Sequence, residues 1–408
     1  MGILTGIRVL DLTNVLTGPF CCYLLAQLGA DVVKVENPEG GDLARQLGAD
    51  PQLNARLMGA SFLAQNGGKR SIALDLKHPD GTRAFLALVR RADALVENFR
   101  PGVMARLGLG YDALRREKPD LVYTAISGFG QDGPRAQDPA YDQIIQGLSG
   151  MMAVTGDERT APLRAGYPVA DTVGGLTAAF ATMAALFHRE RTGQGQMLDV
   201  SLLDASIPML GWVLSNLLIA GTPPRPMGNE NMTAAPSGTF ATARGMLNIA
   251  ANKQEQFEAL CRVIGRPDLP GDPRFAGREA RKANRAALNA EITAGLAARD
   301  AAAWEGELNA AGVPSGRVFS PGEAAQDPQV AHRGLLRTLP VPALDRSIAV
   351  VGPAVRFSAT PGAVDRPPPG LGEHTEEILG EAGFDAAAID ALRAGGALGR
   401  AAPARPAV

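Results

Sequence analysis

Short β-branched runs alternate with helical patterns from the N-terminus onward, and no other feature of the sequence limits the fold as strongly. Ile7–Leu12, Asp31–Glu36, Ser71–Leu76, Ala94–Glu97 and Leu121–Ile126 read as strands. Helical patterns stand between them at Phe20–Leu28, which Gly29 closes, at Gly81–Ala92 and at Tyr111–Glu117. Strands spaced by helices imply a parallel sheet with right-handed crossovers. The expected fold is therefore α/β, with a doubly wound, Rossmann-like sheet and a ligand crevice at the carboxyl ends of its strands.

With 408 residues the chain exceeds what one core usually supports. Residues 1–200 are expected to form the N-terminal part of a large domain, and 201–226 a linker helix. That helix ends in the stiff run Gly221-Thr-Pro-Pro-Arg-Pro226. A smaller middle domain is expected over 227–327, with a hairpin over Gly238–Ala251 turning at Arg244-Gly245. Its helices are expected around Lys253–Ile264, Arg278–Ala298 and Ala303–Ala311. Strand-like runs at Leu335–Leu339 and Ser347–Phe357 suggest that 328–394 re-enter the large domain, leaving 395–408 as a frayed, Ala- and Gly-rich tail.

Composition narrows the function classes. A net charge of −2, with Lys and Arg scattered along the chain, does not point to nucleic acid. The four histidines lack metal-ligand spacing. Three cysteines, with Cys21 and Cys22 adjacent, form no disulfide framework, so a reducing cytoplasm is the expected compartment. Arg8 and Asp11 interrupt the first apolar stretch, which is therefore not a signal peptide, and Gly6 stands where a myristoylation signal needs Ser or Thr. Thr172–His188 and Ala205–Pro224 are uncharged. Pro208, Ser215, Asn216 and Pro223-Pro224 interrupt the second, so helices buried against another domain or subunit are expected rather than membrane spans.

One acid stands against glycines at the head of the first uncharged stretch, in Gly166-Tyr-Pro-Val-Ala-Asp171-Thr-Val-Gly174-Gly175. Asp171 reads either as a helix cap or as a nucleophile with open space for a bulky acyl group. The turn Leu16-Thr17-Gly18-Pro19 after the first strand lacks G-x-G-x-x-G, so nicotinamide chemistry is not supported. Lys69, Arg70 and Lys77 bracket one strand, and Asn98-Phe99-Arg100-Pro101-Gly102 with Arg106 follows another. Cations and an aromatic at strand ends suit a ligand with phosphates and a base, or else a solvated loop. Tyr141-Asp142 reads as a hydrogen-bonding pair for a substrate group, or as a helix start. His188–Gln196 reads as a basic helix end with a glycine stop, and Gly372–Glu377 as a helix N-terminus.

Taken in order, these segments resemble the family III CoA-transferases, the CaiB/BaiF group. The matching stretches include Gly6-Ile-Arg-Val-Leu-Asp-Leu, Leu28-Gly-Ala-Asp-Val-Val-Lys-Val-Glu36, Gly40-Gly-Asp42 and Lys69-Arg-Ser-Ile-Ala-Leu-Asp-Leu-Lys77. Val96-Glu-Asn-Phe-Arg-Pro-Gly102, the Asp171 segment, Thr192-Gly-Gln-Gly-Gln196, Gly312-Val-Pro-Ser-Gly316 and Leu371-Gly-Glu-His-Thr375 continue the set.

The resemblance implies that Asp171 attacks an acyl-CoA to give a mixed anhydride and then an aspartyl-CoA thioester, with no metal and no permanently bound cofactor. Backbone N–H groups near Gly174 would stabilise the oxyanions. Leu74, Lys77, Asn98, Phe99, Arg100 and Arg106 would line the coenzyme A site, and Tyr141, Asp142 and Leu16 would sit at the acyl group. Two ring-like subunits threaded through each other are the implied homodimer.

Formyl-CoA transferase has glutamine where this chain has Leu16 and arginine where it has Asn37, and its glycine-run loop is missing near Met227-Gly-Asn-Glu-Asn231. These departures favour a short dicarboxylate or similar acid over formate or oxalate as acceptor, with succinyl-CoA as the expected donor. Two alternatives stand beside this reading. One is an α-methylacyl-CoA racemase, although those enzymes carry histidine where this chain has Tyr141. The other is a coenzyme A-binding protein without turnover.

Overall fold

The structure is a computed structural model and describes residues 2–398. The chain divides into two compact units. The first holds the residues up to Met151, then Ala165–Ala220 and the described residues from Gln329 onward; the second holds Met152–Arg164 and Gly221–Pro328. Residues 152–164, placed by sequence in the large domain, thus belong to the smaller unit.

In the first unit six parallel strands form one sheet: β1 (Arg8–Asp11), β2 (Asp31–Glu36), β3 (Arg70–Ala73), β4 (Ala94–Glu97), β5 (Val122–Ser127) and β6 (Gln196–Ser201). Their spatial order is β3-β2-β1-β4-β5-β6. Chain progression reverses between β1 and β4, so the loops leaving these two strands open a crevice at the carboxyl edge.

The α/β expectation holds, but β6 went unread. As an edge strand it buries only its last residues, and Gln196 and Asp199 dilute its apolar pattern. Neighbouring residues of β1 point to opposite faces. Leu10 joins Val33, Ile72, Leu95 and Phe85 on one side, and Val9 joins Val32, Val96, Cys21 and Leu25 on the other.

Helices of this stretch include α1 (Thr17–Gln27), α2 (Pro79–Val89), α3 (Val103–Arg106), α4 (Tyr111–Glu117), α5 (Asp142–Leu148), α6 (Val169–Thr192), α7 (Leu202–Ser206) and α8 (Gly211–Leu218). The long α6 packs on α1 and on β5 through a buried stripe of small residues, Gly174, Gly175, Ala178, Ala179 and Thr182, the last hydrogen-bonded to Thr124 of β5. By length and composition α6 could cross a membrane, yet 44% of its apolar window is buried inside the protein. Its opposite face is bare: Leu176, Phe180 and Phe187 are exposed. The linker helix expected over 201–226 is instead broken. Pro208 confines the chain to a short 3₁₀ turn between α7 and α8.

The second unit carries an antiparallel sheet of β7 (Ser237–Ala241), β8 (Met246–Ala250) and β9 (Ser315–Arg317). Helices α9 (Gln254–Val263), α10 (Arg278–Ala283), α11 (Arg285–Leu296) and α12 (Ala301–Ala310) pack with it around Phe240, Leu247, Phe257, Phe275 and Leu308. The hairpin turns where expected, with Gly245 at φ +88°. The helix expected over 278–298 breaks at Asn284, whose side-chain amide donates to the carbonyls of Ala280 and Arg274.

Back in the first unit, β10 (Leu336–Val341) and β11 (Arg346–Val351) pair with each other and do not join the main sheet. The strand expected over Ser347–Phe357 therefore stops at Val351. Two helices, α13 (Thr375–Glu381) and α14 (Ala386–Ala394), close the core on the Leu10 side through Ile378, Leu379, Ile389 and Leu392. Of the expected tail, Ala397 and Leu398 are packed, buried in that core, with the Ala397 carbonyl accepting from the Asp75 N–H. The remainder, 399–408, lies outside the described residues.

Candidate active site

The loop leaving β1 is held by charges that the sheet buries completely. Lys69 Nζ donates to Asp11 Oδ2 at 2.8 Å and to the Pro19 carbonyl at 3.0 Å. Lys34 Nζ donates to the Thr13 carbonyl at 2.8 Å and pairs with Asp42 Oδ2 at 3.0 Å. Buried charges are tolerated when paired in this way. Burial alone would push the Asp11 carboxyl up, but Lys34 and Lys69 offset it and hold the group below its ordinary range. Lys69 is thus a strut of the loop and not a ligand cation. Arg70 is likewise spent, on Asp31, Glu377 and Glu381.

Asp42 Oδ1 accepts the Val15 N–H at 2.9 Å. Val15 has φ +68°, a conformation that a β-branched residue adopts only under constraint. On the facing loop, Asn98 accepts from Asn14 N–H at 2.8 Å and donates to the Asn14 carbonyl at 2.9 Å. Its amide therefore ties the β1 loop to the β4 loop. Glu97 braces the same turn, accepting the Phe99 N–H at 2.8 Å and the Tyr123 hydroxyl at 3.2 Å. Burial pushes its carboxyl up to about 7, although both hydrogen bonds act in the other direction.

Between these loops lies a cleft of about 270 Å³, and Leu16, Asn98, Phe99, Arg100, Tyr141 and Asp171 all line it. Six of the ten residues expected at the site are thereby brought together. The other four are elsewhere. The Leu74 side chain is in the core. Lys77 and Arg106 are exposed beyond the ends of β3 and β4 and do not line the cleft. Asp142 is buried below it.

Asp142 also separates the two readings of Asp171. Its Oδ1 accepts the N–H groups of Ala170 at 2.9 Å and Asp171 at 3.3 Å, so Asp142, reaching over from α5, caps α6. Gln146 steadies it, donating to Asp142 Oδ2 at 2.6 Å. Asp171 is the third residue of α6 and is freed from capping. Its Oδ1 accepts the Thr17 hydroxyl at 2.6 Å, and its Oδ2 carries no hydrogen bond from the described residues. Burial holds the Asp171 carboxyl above its ordinary range; the Thr17 hydrogen bond pulls it down, and the charge of Asp142 adds to the rise.

The glycines do not leave the expected open space. A Cβ at Gly174 would come within 2.2 Å of Leu202 Cδ2, and one at Gly175 within 2.6 Å of the Thr17 carbonyl. Both lie inside α6, where each N–H faces the carbonyl one turn earlier, so neither is free for an oxyanion. Their absent side chains let α1 approach until Thr17 reaches Asp171.

Thr17, Glu97 and Asp42 stood inside motifs read from the sequence but were given no role at the site. A larger groove of about 840 Å³ lies in the second unit, lined by Asn229, Asn231, Asn248 and Ser315 among others, and holds none of the expected site residues. Among the described residues no cluster of His, Cys, Asp or Glu is arranged to hold a metal ion.

Comparisons with known proteins fit this geometry. The sequence model described as CoA-transferase family III matches residues 4–375. The chain is 40% identical over 392 residues to succinate–glutarate CoA-transferase of Agrobacterium fabrum, covering 93% of this chain and 95% of that protein. It is 42% identical over 332 residues to acetyl-CoA:oxalate CoA-transferase of Acetobacter aceti, covering 81% and 84%. Its fold is similar to that of a CaiB/BaiF family protein from Brucella suis, with TM-score 0.83, 34% identity, and 93% and 99% of the two chains covered.

Proposed function

The chain belongs to CoA-transferase family III, and from that premise we propose that it moves coenzyme A from succinyl-CoA to a short dicarboxylic acid, with Asp171 as nucleophile. One observation carries this reading: Asp142 does the capping, which leaves Asp171 at the cleft with Oδ2 open. The carboxylate attacks the donor thioester, forming a C–O bond and expelling the CoA thiolate. The thiolate then attacks Asp171 Cγ, releasing the donor acid and leaving an aspartyl-CoA thioester. The acceptor carboxylate reverses both steps. Covalent relay divides one hard exchange into easier ones and keeps the thioester away from water.

Phe99 and Arg100 would meet the coenzyme at the cleft, with Lys77 and Arg106 taking its phosphates further along the carboxyl edge. Leu74 could contribute only backbone, and Asn98 acts by tying the two loops. Tyr141, exposed at the rim, would hydrogen-bond the acyl group, while Asp142 serves from beneath. A cleft of about 270 Å³ suits a thioester and a short acyl chain rather than a whole coenzyme. Glutarate and oxalate, the acids named for the two relatives, support a dicarboxylate acceptor, and the oxalate relative runs against the expectation from Leu16 that oxalate is disfavoured.

A homodimer of interlocked subunits would cover the bare face of α6 and the exposed Trp212, Leu218 and Ile219 at α8, since monomers rarely leave such a face to water. Sedimentation would show one dimeric species, and a monomer would contradict it. Three free, buried cysteines suit the cytoplasm.

The assay mixes succinyl-CoA with glutarate, mesaconate, oxalate and formate and follows the new acyl-CoA. Transfer to the longer dicarboxylates supports the reading. Exchange of the α-proton of a 2-methylacyl-CoA without transfer would make the protein a racemase, and tight binding without either reaction a coenzyme A-binding protein.

A further inference from the structure

The two oxygens of Asp171 are not equivalent. Oδ1 is engaged by the Thr17 hydroxyl at 2.6 Å, whereas Oδ2 is open. Thr17 itself has no room to move. Its carbonyl lies under Gly175 and its Cγ2 beside Gly174, so α6 bears directly on it. On the other side, the Thr13 side chain fills the space that a Cβ at Gly18 would need, at 2.3 Å, which locks the turn carrying Thr17. Thr13 is in turn fixed by Asp11, its hydroxyl donating to Oδ1 at 2.5 Å. The hydroxyl is a preorganised donor aimed at one oxygen of one carboxylate.

We propose that Thr17 is a catalytic residue whose hydroxyl receives the oxyanion at Oδ1, and that Oδ2 is the oxygen that attacks the donor. This rests on the nucleophilic role of Asp171. In the mixed anhydride Oδ2 bridges the two acyl groups and Oδ1 is the carbonyl oxygen of Asp171. When the CoA thiolate attacks Cγ, a C–S bond forms, the carbonyl electron pair moves to Oδ1, and the bond to Oδ2 then breaks as the donor acid leaves with that oxygen. The acceptor carboxylate later attacks the same Cγ and again puts negative charge on Oδ1 before the thiolate leaves. No proton is gained or lost in either step. A rigid donor at that point stabilises both tetrahedral intermediates. The Gly174 N–H, bonded within α6, does not substitute for it.

Thr17→Val keeps the shape and deletes the donor. Its kcat for transfer is expected to fall about 100-fold, the usual loss for one oxyanion donor. KM for the acyl-CoA should stay near the wild-type value. Rapid quenching and intact-mass analysis should show slower formation of the aspartyl-CoA adduct, and Thr17→Ser should restore most of the rate. The acidic limb of the kcat/KM profile should also move to higher pH, because the hydrogen bond that favours the carboxylate is gone. If Thr17→Val does not fold, Thr17→Ala, which only removes atoms, carries the same expectations.

Transfer by Thr17→Val at the wild-type rate would overturn the proposal. So would equal losses in the Val and Ser variants with a raised KM, which mark a packing role only. If the wild type itself forms no adduct at Asp171, the nucleophile assignment fails instead.

Discussion

Asp142 and Asp171 sit back to back at the head of α6, with Asp142 Oδ1 accepting the Asp171 N–H at 3.3 Å. One carboxylate holds the helix end, and its charge opposes ionisation of the other. Asp142→Asn keeps an acceptor oxygen and removes the charge. The acidic limb of kcat/KM should then move to lower pH, opposite in direction to Thr17→Val. Replacement by Ala deletes the cap and should cost about 1 kcal/mol of stability, measured by urea denaturation.

Asp171 is held above its ordinary range by burial, and this fixes the sign of its effect on stability. Between its unfolded and folded pKa values the folded state binds more protons, so unfolding free energy falls as pH rises. Asp171→Asn removes the buried charge while Asn can still accept from Thr17. It should abolish transfer and raise the thermal midpoint at neutral pH. The difference from wild type should close in acid, as the wild-type carboxyl protonates.

Glu97 carries the larger penalty. Burial pushes its carboxyl up to about 7, from an ordinary value of 4.5. Stability should fall as pH rises through this window and stay low above it. Glu97→Gln, still able to accept the Phe99 N–H, is expected to gain up to about 3 kcal/mol near pH 8 and almost nothing near pH 4.5. Guanidinium titrations at the two pH values check this. A variant less stable at both would mean that the charge supports the turn.

The glycine pair in α6 should respond unequally. A methyl at Gly174 meets the end of the Leu202 side chain, which can swing aside. At Gly175 it meets the Thr17 carbonyl at 2.6 Å, which is backbone. Gly175→Ala should cost about 1–3 kcal/mol as overpacking and also depress kcat by displacing Thr17. Gly174→Ala should be milder in both denaturation and turnover.

The main sheet was legible because β2 and β4 are written as short Val-containing runs between helical patterns, broken only by Lys34 in β2, and their observed bounds, Asp31–Glu36 and Ala94–Glu97, coincide with the expected ones. β6 was not read, and β10 and β11 were read as strands with shifted bounds, because edge strands and lone hairpins are half exposed and lack that pattern. The cleft was legible where short loops follow strands, as at Asn98-Phe99-Arg100. Its fine structure was not. Thr17 and Asp171 are 154 residues apart in the chain, and the hydrogen bond between them exists only because two glycines let two helices touch. Asp142 was placed at the acyl group because a pair such as Tyr141-Asp142 does not reveal which member turns inward.

The central claim is that Asp171 carries the acyl and CoA groups in turn. Intact-mass spectrometry of the protein after mixing with succinyl-CoA, with hydroxylamine or borohydride trapping, tests it most directly. The wild type should gain a thioester-linked CoA adduct that maps to Asp171, lost again when an acceptor acid is added, and Asp171→Ala should gain none. CoA reaching the acceptor with no adduct at Asp171, or undiminished transfer by Asp171→Ala, would contradict it.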